Sequence, residues 1–275
     1  MSTLQHDDVR QAVRERYGAI AETRGSEGGC CGPTAEGCCG PTASTLDDKA
    51  HAYGYSPAET TAAPDGSNLG LGCGNPVAIA SLQPGQTVLD LGSGAGFDCF
   101  LAARAVGASG HVIGVDMTHE MLRKARENAA KSEFTNVEFR LGEIEYLPVA
   151  DQSVDVIISN CVINLSPEKP KVFRESFRVL KPGGRLAVSD VVATVPIPDA
   201  IKNDAASLSA CISGASLIED VEAMLSEAGF THIRIQPKDE SKTFMREWVP
   251  ELDITNYLIS ATIEAVKPAD EMAVS

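Results

Sequence analysis

From Thr87 onward, short β-branched runs alternate with amphipathic stretches. This alternation constrains the fold more than any other feature of the 275 residues. Strands are expected at Thr87–Leu91, Val112–Val115, Val137–Arg140, Val154–Ser159 and Arg185–Val192. Helices are expected between them, at Phe97–Val106, Met117–Lys131 and Pro167–Leu180. Such a pattern builds a parallel sheet covered by helices on both faces. Leu217–Ala228 is amphipathic and stops at Gly229, a natural helix end. His232–Gln236 and Tyr257–Val266 read as two more strands, and the irregular stretch between them, through Met245, Arg246 and Trp248, is placed to cover a pocket. Ahead of the sheet, Val9, Val13, Tyr17 and Ile20 recur at helical spacing and predict a helix over about residues 4–22. Residues 44–80 mix turns with a short helix leading into the core.

The first strand runs straight into Val88-Leu-Asp-Leu-Gly-Ser-Gly-Ala-Gly-Phe-Asp98. Its glycines let backbone approach a ligand at the carboxyl end of the strand, the ligand crevice of open α/β sheets. Phe97 stands where a dinucleotide fingerprint would carry its last glycine. Asp90 puts a carboxylate where a phosphate would be repelled and an ammonium favoured. Asp116 ends the second strand, where ribose hydroxyls are accepted. Gly142-Glu-Ile-Glu145 follows the third strand, so that Ile144 can pack on a base and Glu143 can accept from its exocyclic amine.

The chain carries eight cysteines and a net charge of −15. That charge disfavours nucleic acid and anionic membrane surfaces as partners. No apolar run reaches membrane-span length, and Met1–Ala12, with His6, Asp7, Asp8 and Arg10, is no signal peptide, so a cytoplasmic location is expected. There, thiols are more often catalytic or ion-binding than a disulfide framework. Cys73, Cys161 and Cys211 lie in three separate segments near the expected ligand crevice, and three converging thiolates would hold a soft, three-coordinate ion. Cys99 sits among apolar residues of the first core helix and is assigned to packing. A direct repeat, Cys30-Cys-Gly-Pro-Thr-Ala35 and Cys38-Cys-Gly-Pro-Thr-Ala43, adds two vicinal pairs in a Gly- and Pro-rich segment. The five histidines show no metal-ligand spacing.

The glycine turn, Asp90, Asp116 and Leu180-Lys-Pro-Gly-Gly-Arg185 together resemble class I S-adenosylmethionine-dependent methyltransferases over about residues 70–195. Asn68-Leu-Gly-Leu-Gly-Cys-Gly-Asn-Pro76, Ser159-Asn-Cys-Val-Ile-Asn-Leu165, Tyr53-Gly-Tyr-Ser-Pro57 and the distal Cys211 are similar to segments of the arsenite methyltransferases within that class. The resemblance implies an α/β, Rossmann-like fold with a mostly parallel seven-stranded sheet whose last strand is antiparallel. It implies three parts: an N-terminal helix and cysteine-rich arm at 1–66, a cofactor-binding core at 67–195, and a C-terminal part at 196–275 that completes the sheet and contributes to the substrate site. It implies S-adenosylmethionine bound by Tyr55, Asp90, Gly92, Ser93, Gly94, Gly96, Asp116, Met117, Glu143, Ile144 and Asn160. It implies As(III), free or as a glutathione conjugate, held by Cys73, Cys161 and Cys211 and methylated there.

A thiol reductant, glutathione or thioredoxin, would then act as co-substrate, with Cys38 or Cys39 as a redox relay and the roles of Cys30 and Cys31 open. Two other readings remain at this point. One is a methyltransferase of an organic small molecule, which would need a proton-abstracting base. The other is a thiol-rich metalloid-binding protein without turnover.

Overall fold

A computed structural model describes residues 3–23, 45–198, 212–249 and 253–269. Cys30, Cys31, Cys38, Cys39 and Cys211 lie outside them. Seven strands form one sheet: β1 (Thr87–Leu91), β2 (His111–Asp116), β3 (Val137–Leu141), β4 (Val154–Asn160), β5 (Leu180–Ala193), β6 (Thr231–Pro237) and β7 (Leu258–Val266). Their order is β3-β2-β1-β4-β5-β7-β6. β1 through β5 pair in parallel, and β7 is antiparallel to both β5 and β6. This is the α/β architecture that the alternating pattern implies.

The central strands are apolar on both sides because both sides are covered. Leu89, Leu91, Ile157 and Val188 belong to one buried cluster, and Val88, Val156, Ile158 and Ala187 to another. The helices bracketing the sheet are α5 (Phe97–Val106), α6 (His119–Ala130), α7 (Lys169–Val179) and α8 (Ile218–Glu227). Before β1 come α1 (Thr3–Thr23) and three short helices: α2 (Leu46–Ala52), α3 (Pro57–Ala62) and α4 (Pro76–Ile79). Thr45 with Asp48, and Ser56 with Glu59, close capping boxes that start α2 and α3. A one-turn helix, α9 (Lys242–Met245), lies between β6 and β7.

One strand boundary departs clearly from the sequence reading. β5 begins at Leu180, five residues earlier than expected, because Lys181–Gly184 form an irregularity in its pairing with β4 and Gly183 takes φ +78°. β6 and β7 complete the same seven-stranded sheet, as the resemblance implies. The chain proceeds outward from β1 to β2 and β3, then returns to β4 on the other side of β1. That reversal opens a crevice at the carboxyl ends of β1 and β4, where open α/β sheets bind ligands.

Candidate active site

A cavity of about 320 Å³ occupies this crevice. Its floor is the β1–α5 turn. Gly96 there takes φ +92°, and a Cβ on it would lie 2.8 Å from Phe100 and Phe139, so only glycine lets the turn close onto the sheet. Three carboxylates line the cavity: Asp90, Asp98 and Asp116. All three are buried. Asp116 accepts from the backbone N–H of Gly94 at 2.9 Å and of Thr118 at 2.8 Å. Asp90 accepts from the Cys99 thiol at 3.2 Å. Among the described residues neither Asp90 nor Asp98 has an ion-pair partner.

Burial, with Asp98 close by, pushes the Asp90 carboxyl well above its ordinary range. Burial raises Asp98 to about 6, against hydrogen bonds from Tyr55 and Asn160 that pull it down. Two buried acids without a cation, beside a buried Ser93 hydroxyl that lacks a partner, suit a ligand carrying an ammonium and polar groups.

The expected cofactor residues divide into two sets. Asp90, Gly92, Ser93, Gly94, Asp116, Met117, Ile144 and Asn160 line the cavity. Gly96, Tyr55 and Glu143 do not. Tyr55 stands behind the wall and donates its hydroxyl to Asp98 at 2.6 Å. Glu143 turns toward α1 and pairs with Arg10 at 3.4 Å and Arg14 at 3.2 Å. Its neighbour Glu145 lines the cavity instead, buried, with the Ser166 hydroxyl at 2.6 Å and Arg10 at 3.4 Å.

Sequence reasoning missed Asp98, which sits in a first helical turn where acids usually stay solvated against the helix dipole. It also missed α1 as a wall. Arg10, Val13, Tyr17 and Ile20 of that helix line the cavity, and Arg10 is fixed to Glu168 at 2.6 Å. The helical spacing of Val13, Tyr17 and Ile20 carried this signal, since an apolar stripe must cover something.

At the other end of the cavity are Cys161, Val162, Leu165 and Trp248. Cys161 follows β4 in a left-handed conformation, φ +57°, with its N–H donated to Ser189 O at 2.8 Å. Cys73 is brought beside it, and the two are joined as a disulfide across 88 residues of sequence. The sequence reading has these two as free ligand thiolates; here they are bonded to one another, the oxidised form of the pair. The Asn160 side chain fixes the Cys73 segment: its Oδ1 accepts from Cys73 N at 3.0 Å, and its Nδ2 donates to Gly74 O at 2.8 Å and to Tyr55 Oη at 2.9 Å. Ser260 on β7 donates to Cys73 O at 2.8 Å, so the C-terminal part supports the same spot.

Asp190, next on β5, accepts from Ile163 N at 3.0 Å, Asn164 Nδ2 at 2.9 Å and Val191 N at 2.8 Å. Burial still raises it to about 6. Cys99 is buried in the core, where burial and the neighbouring Asp90 push its thiol well up and hold it protonated.

A methyltransferase-domain family model matches residues 82–229. The arsenite methyltransferase of Halobacterium salinarum is 56% identical over 267 residues, which cover 96% of this chain and 68% of that protein. The human arsenite methyltransferase is 37% identical over 173 residues, 60% of this chain and 46% of its own length. Beside the mammalian relatives, this chain therefore spans about half their length. A crystal structure of an arsenic(III) S-adenosylmethionine methyltransferase from Chlamydomonas reinhardtii superimposes with a TM-score of 0.61 at 32% identity, covering 81% of this chain and 74% of that one. With its sheet order, its acid-lined cavity and its paired cysteines, the chain belongs to the arsenite methyltransferase family of S-adenosylmethionine-dependent methyltransferases.

Proposed function

We propose that this chain methylates trivalent arsenic, free or as its glutathione conjugate, on the thiols at the Cys161 end of the cavity. The observation that carries this reading is that Cys73 and Cys161, far apart in sequence, come within bonding distance where Cys161 lines the acid-lined cavity. Cys211 is the proposed third thiolate. When bound, S-adenosylmethionine supplies a sulfonium methyl group. Asp90 and Asp98 would hold its ammonium, and Asp116, fixed by the Gly94 and Thr118 N–H groups, would face the ribose hydroxyls. Ile144 packs on the base, α1 closes over it, and Asn160 links this end to Cys73.

Arsenic favours thiolate sulfur, and pyramidal coordination by three sulfurs leaves it a lone pair. That lone pair is the nucleophile. No proton leaves it on methyl transfer, so the chain needs no general base. The work of the protein is positioning and exclusion of water.

The Cys73–Cys161 bond must first be opened. Two equivalents of a small thiol such as glutathione, or one dithiol such as a thioredoxin-type protein, give two cysteine thiols and one new disulfide. Methyl transfer leaves arsenic pentavalent, and its return to the trivalent state takes two further electrons; the Cys38 and Cys39 pair is the proposed relay for these, forming a disulfide that the same reductant reopens. The test is methyl transfer from labelled S-adenosylmethionine to arsenite in the presence of glutathione and a dithiol, for wild type and Cys161→Ser. Methylarsenic from wild type, falling about 10²-fold or more in the variant, is expected. No methylarsenic from wild type that binds the cofactor would move the search to organic acceptors.

A further inference from the structure

One side chain at the thiol end has no part in the methyl transfer. Asp190 reaches the same point as the two cysteines: one donor atom each from Cys73, Cys161 and Asp190 lies within 4.8 Å of the others, and all three residues are buried. The three come from separate elements: the segment before α4, the end of β4, and β5. Each is held in place by hydrogen bonds. Cys73 is held through Asn160 and Ser260, Cys161 through Ser189 O, and Asp190 through Ile163, Asn164 and Val191.

We infer that Cys73, Cys161 and Asp190, with the disulfide reduced, form a site for a divalent thiophilic cation of the zinc–cadmium type. Occupancy of this site withholds both thiols from arsenic. The chemistry of the donors separates the two ions. Zinc and its heavier congener accept mixed sulfur and carboxylate ligands, with metal–donor bonds of about 2.0–2.3 Å for zinc. The donors around one such ion therefore stand about 3.5–4 Å apart, a separation the two sulfurs can take only once the bond between them is opened. Trivalent arsenic prefers sulfur alone and has little use for the carboxylate.

Asp190 is held by hydrogen bonds from Ile163, Asn164 and Val191, so an ion that binds its carboxylate displaces one of these donors. Charge favours the exchange. Two thiolates and a carboxylate carry three negative charges in a buried site, and a divalent cation leaves one; binding sends two thiol protons to solvent and changes no oxidation state. Cys161 lines the cavity and gives the ion a way in.

The consequence for arsenic rests on the function proposed above; the binding does not, and its test contains no arsenic. The full chain carrying Cys30→Ser, Cys31→Ser, Cys38→Ser and Cys39→Ser, which removes the competing vicinal thiols, is reduced with a phosphine and given one equivalent of cadmium. X-ray absorption is expected to show two sulfur neighbours and at least one oxygen. Competition with a chromophoric chelator is expected to show at least about tenfold weaker binding in Asp190→Asn. Three or more sulfurs without oxygen would overturn the site, because Cys211 would then have taken the place of Asp190. Unchanged affinity in a folded Asp190→Asn would overturn it as well. If that variant does not fold, the neighbour count on the Asp190-containing chain decides alone. A chain that fails here but methylates arsenite loses only the cation site.

Discussion

At the cofactor end of the cavity, the key side chains come from one stretch of chain: Asp90, Ser93 and Asp98 within nine residues, and Asp116 at the end of the adjacent strand. At the thiol end, Cys73, Cys161, Asp190 and Ser260 come from four distant segments and meet only because β4, β5 and β7 are neighbours in the sheet. The first end holds three buried carboxylates, of which Asp90 and Asp98 have no ion-pair partner among the described residues. The second is set in an apolar cluster with Val191, Ile212, Met245 and Leu258. One end is therefore built to bind a cation-bearing ligand, and the other to position soft donors away from water. A substitution should damage one and spare the other, and the ranking of effects follows from this division.

Loss of Cys161 is expected to have the largest effect, reducing methylation to background while leaving cofactor affinity intact. Cofactor binding lost in parallel would break the division. The next effect is on stability. Asp98 and Asp190 each have a folded-state value of about 6 against an ordinary 3.8. A raised acid favours the folded state when protonated, so its contribution is present at low pH and is lost as pH climbs from about 4 through about 6. For either group the shift corresponds to on the order of 3 kcal/mol. Chemical unfolding of the unliganded chain across that range should show the loss. Asp98→Asn should flatten the part due to the cofactor end, and Asp190→Asn the part due to the thiol end. A profile untouched by either change would mean that neither acid is raised on folding.

Asp90→Asn is expected to weaken S-adenosylmethionine binding roughly 10- to 100-fold, the worth of a charge-assisted hydrogen bond, and to raise the melting temperature of the unliganded chain by relieving an unpaired buried carboxylate. Calorimetric titration and a thermal scan check the two signs. Gly72→Ala reports on the other end. Gly72 has φ +124°, and a Cβ there would lie 2.8 Å from Asn160 Nδ2. The variant should cost about 1–3 kcal/mol and lower arsenite turnover with little change in cofactor affinity. The smallest effect is expected from Arg10→Gln, which loosens α1 from Glu168 and Glu145. Stopped-flow release of S-adenosylmethionine should quicken a few-fold, on the order of 1 kcal/mol, with arsenic binding unchanged.

The same division explains what could be read in the sequence. Strands β1 to β4 and the glycine turn were legible because periodicity and turn chemistry are local. β5 was read five residues short, because Pro182-Gly-Gly184 looks like a turn and serves here as an irregularity within pairing. Asp90 and Asp116 could be placed from their position at strand ends. Asp98 could not, because its burial depends on Tyr55 and Asn160 arriving from elsewhere. Glu143 and Glu145 flank Ile144 in the sequence, and only the position of Arg10 on α1 decides which of them turns to the cavity. That helix was read as the start of an arm spanning residues 1–66. Its role as a cavity wall means that deleting residues 1–43 would remove part of the cofactor site together with the cysteine repeat, so point changes at the repeat are the cleaner probe of the relay.

Asn160 has one further consequence. A single amide accepts from the backbone of Cys73 and donates toward Tyr55 and Asp98, with 3.3 Å to the latter. A ligand that draws on Asp98 pulls on the group that fixes Cys73. Whatever interaction free energy this linkage carries must be the same in both directions. The factor by which bound cofactor alters arsenic affinity is then the factor by which bound arsenic alters cofactor affinity, and order-of-addition experiments at the two ends must return one number.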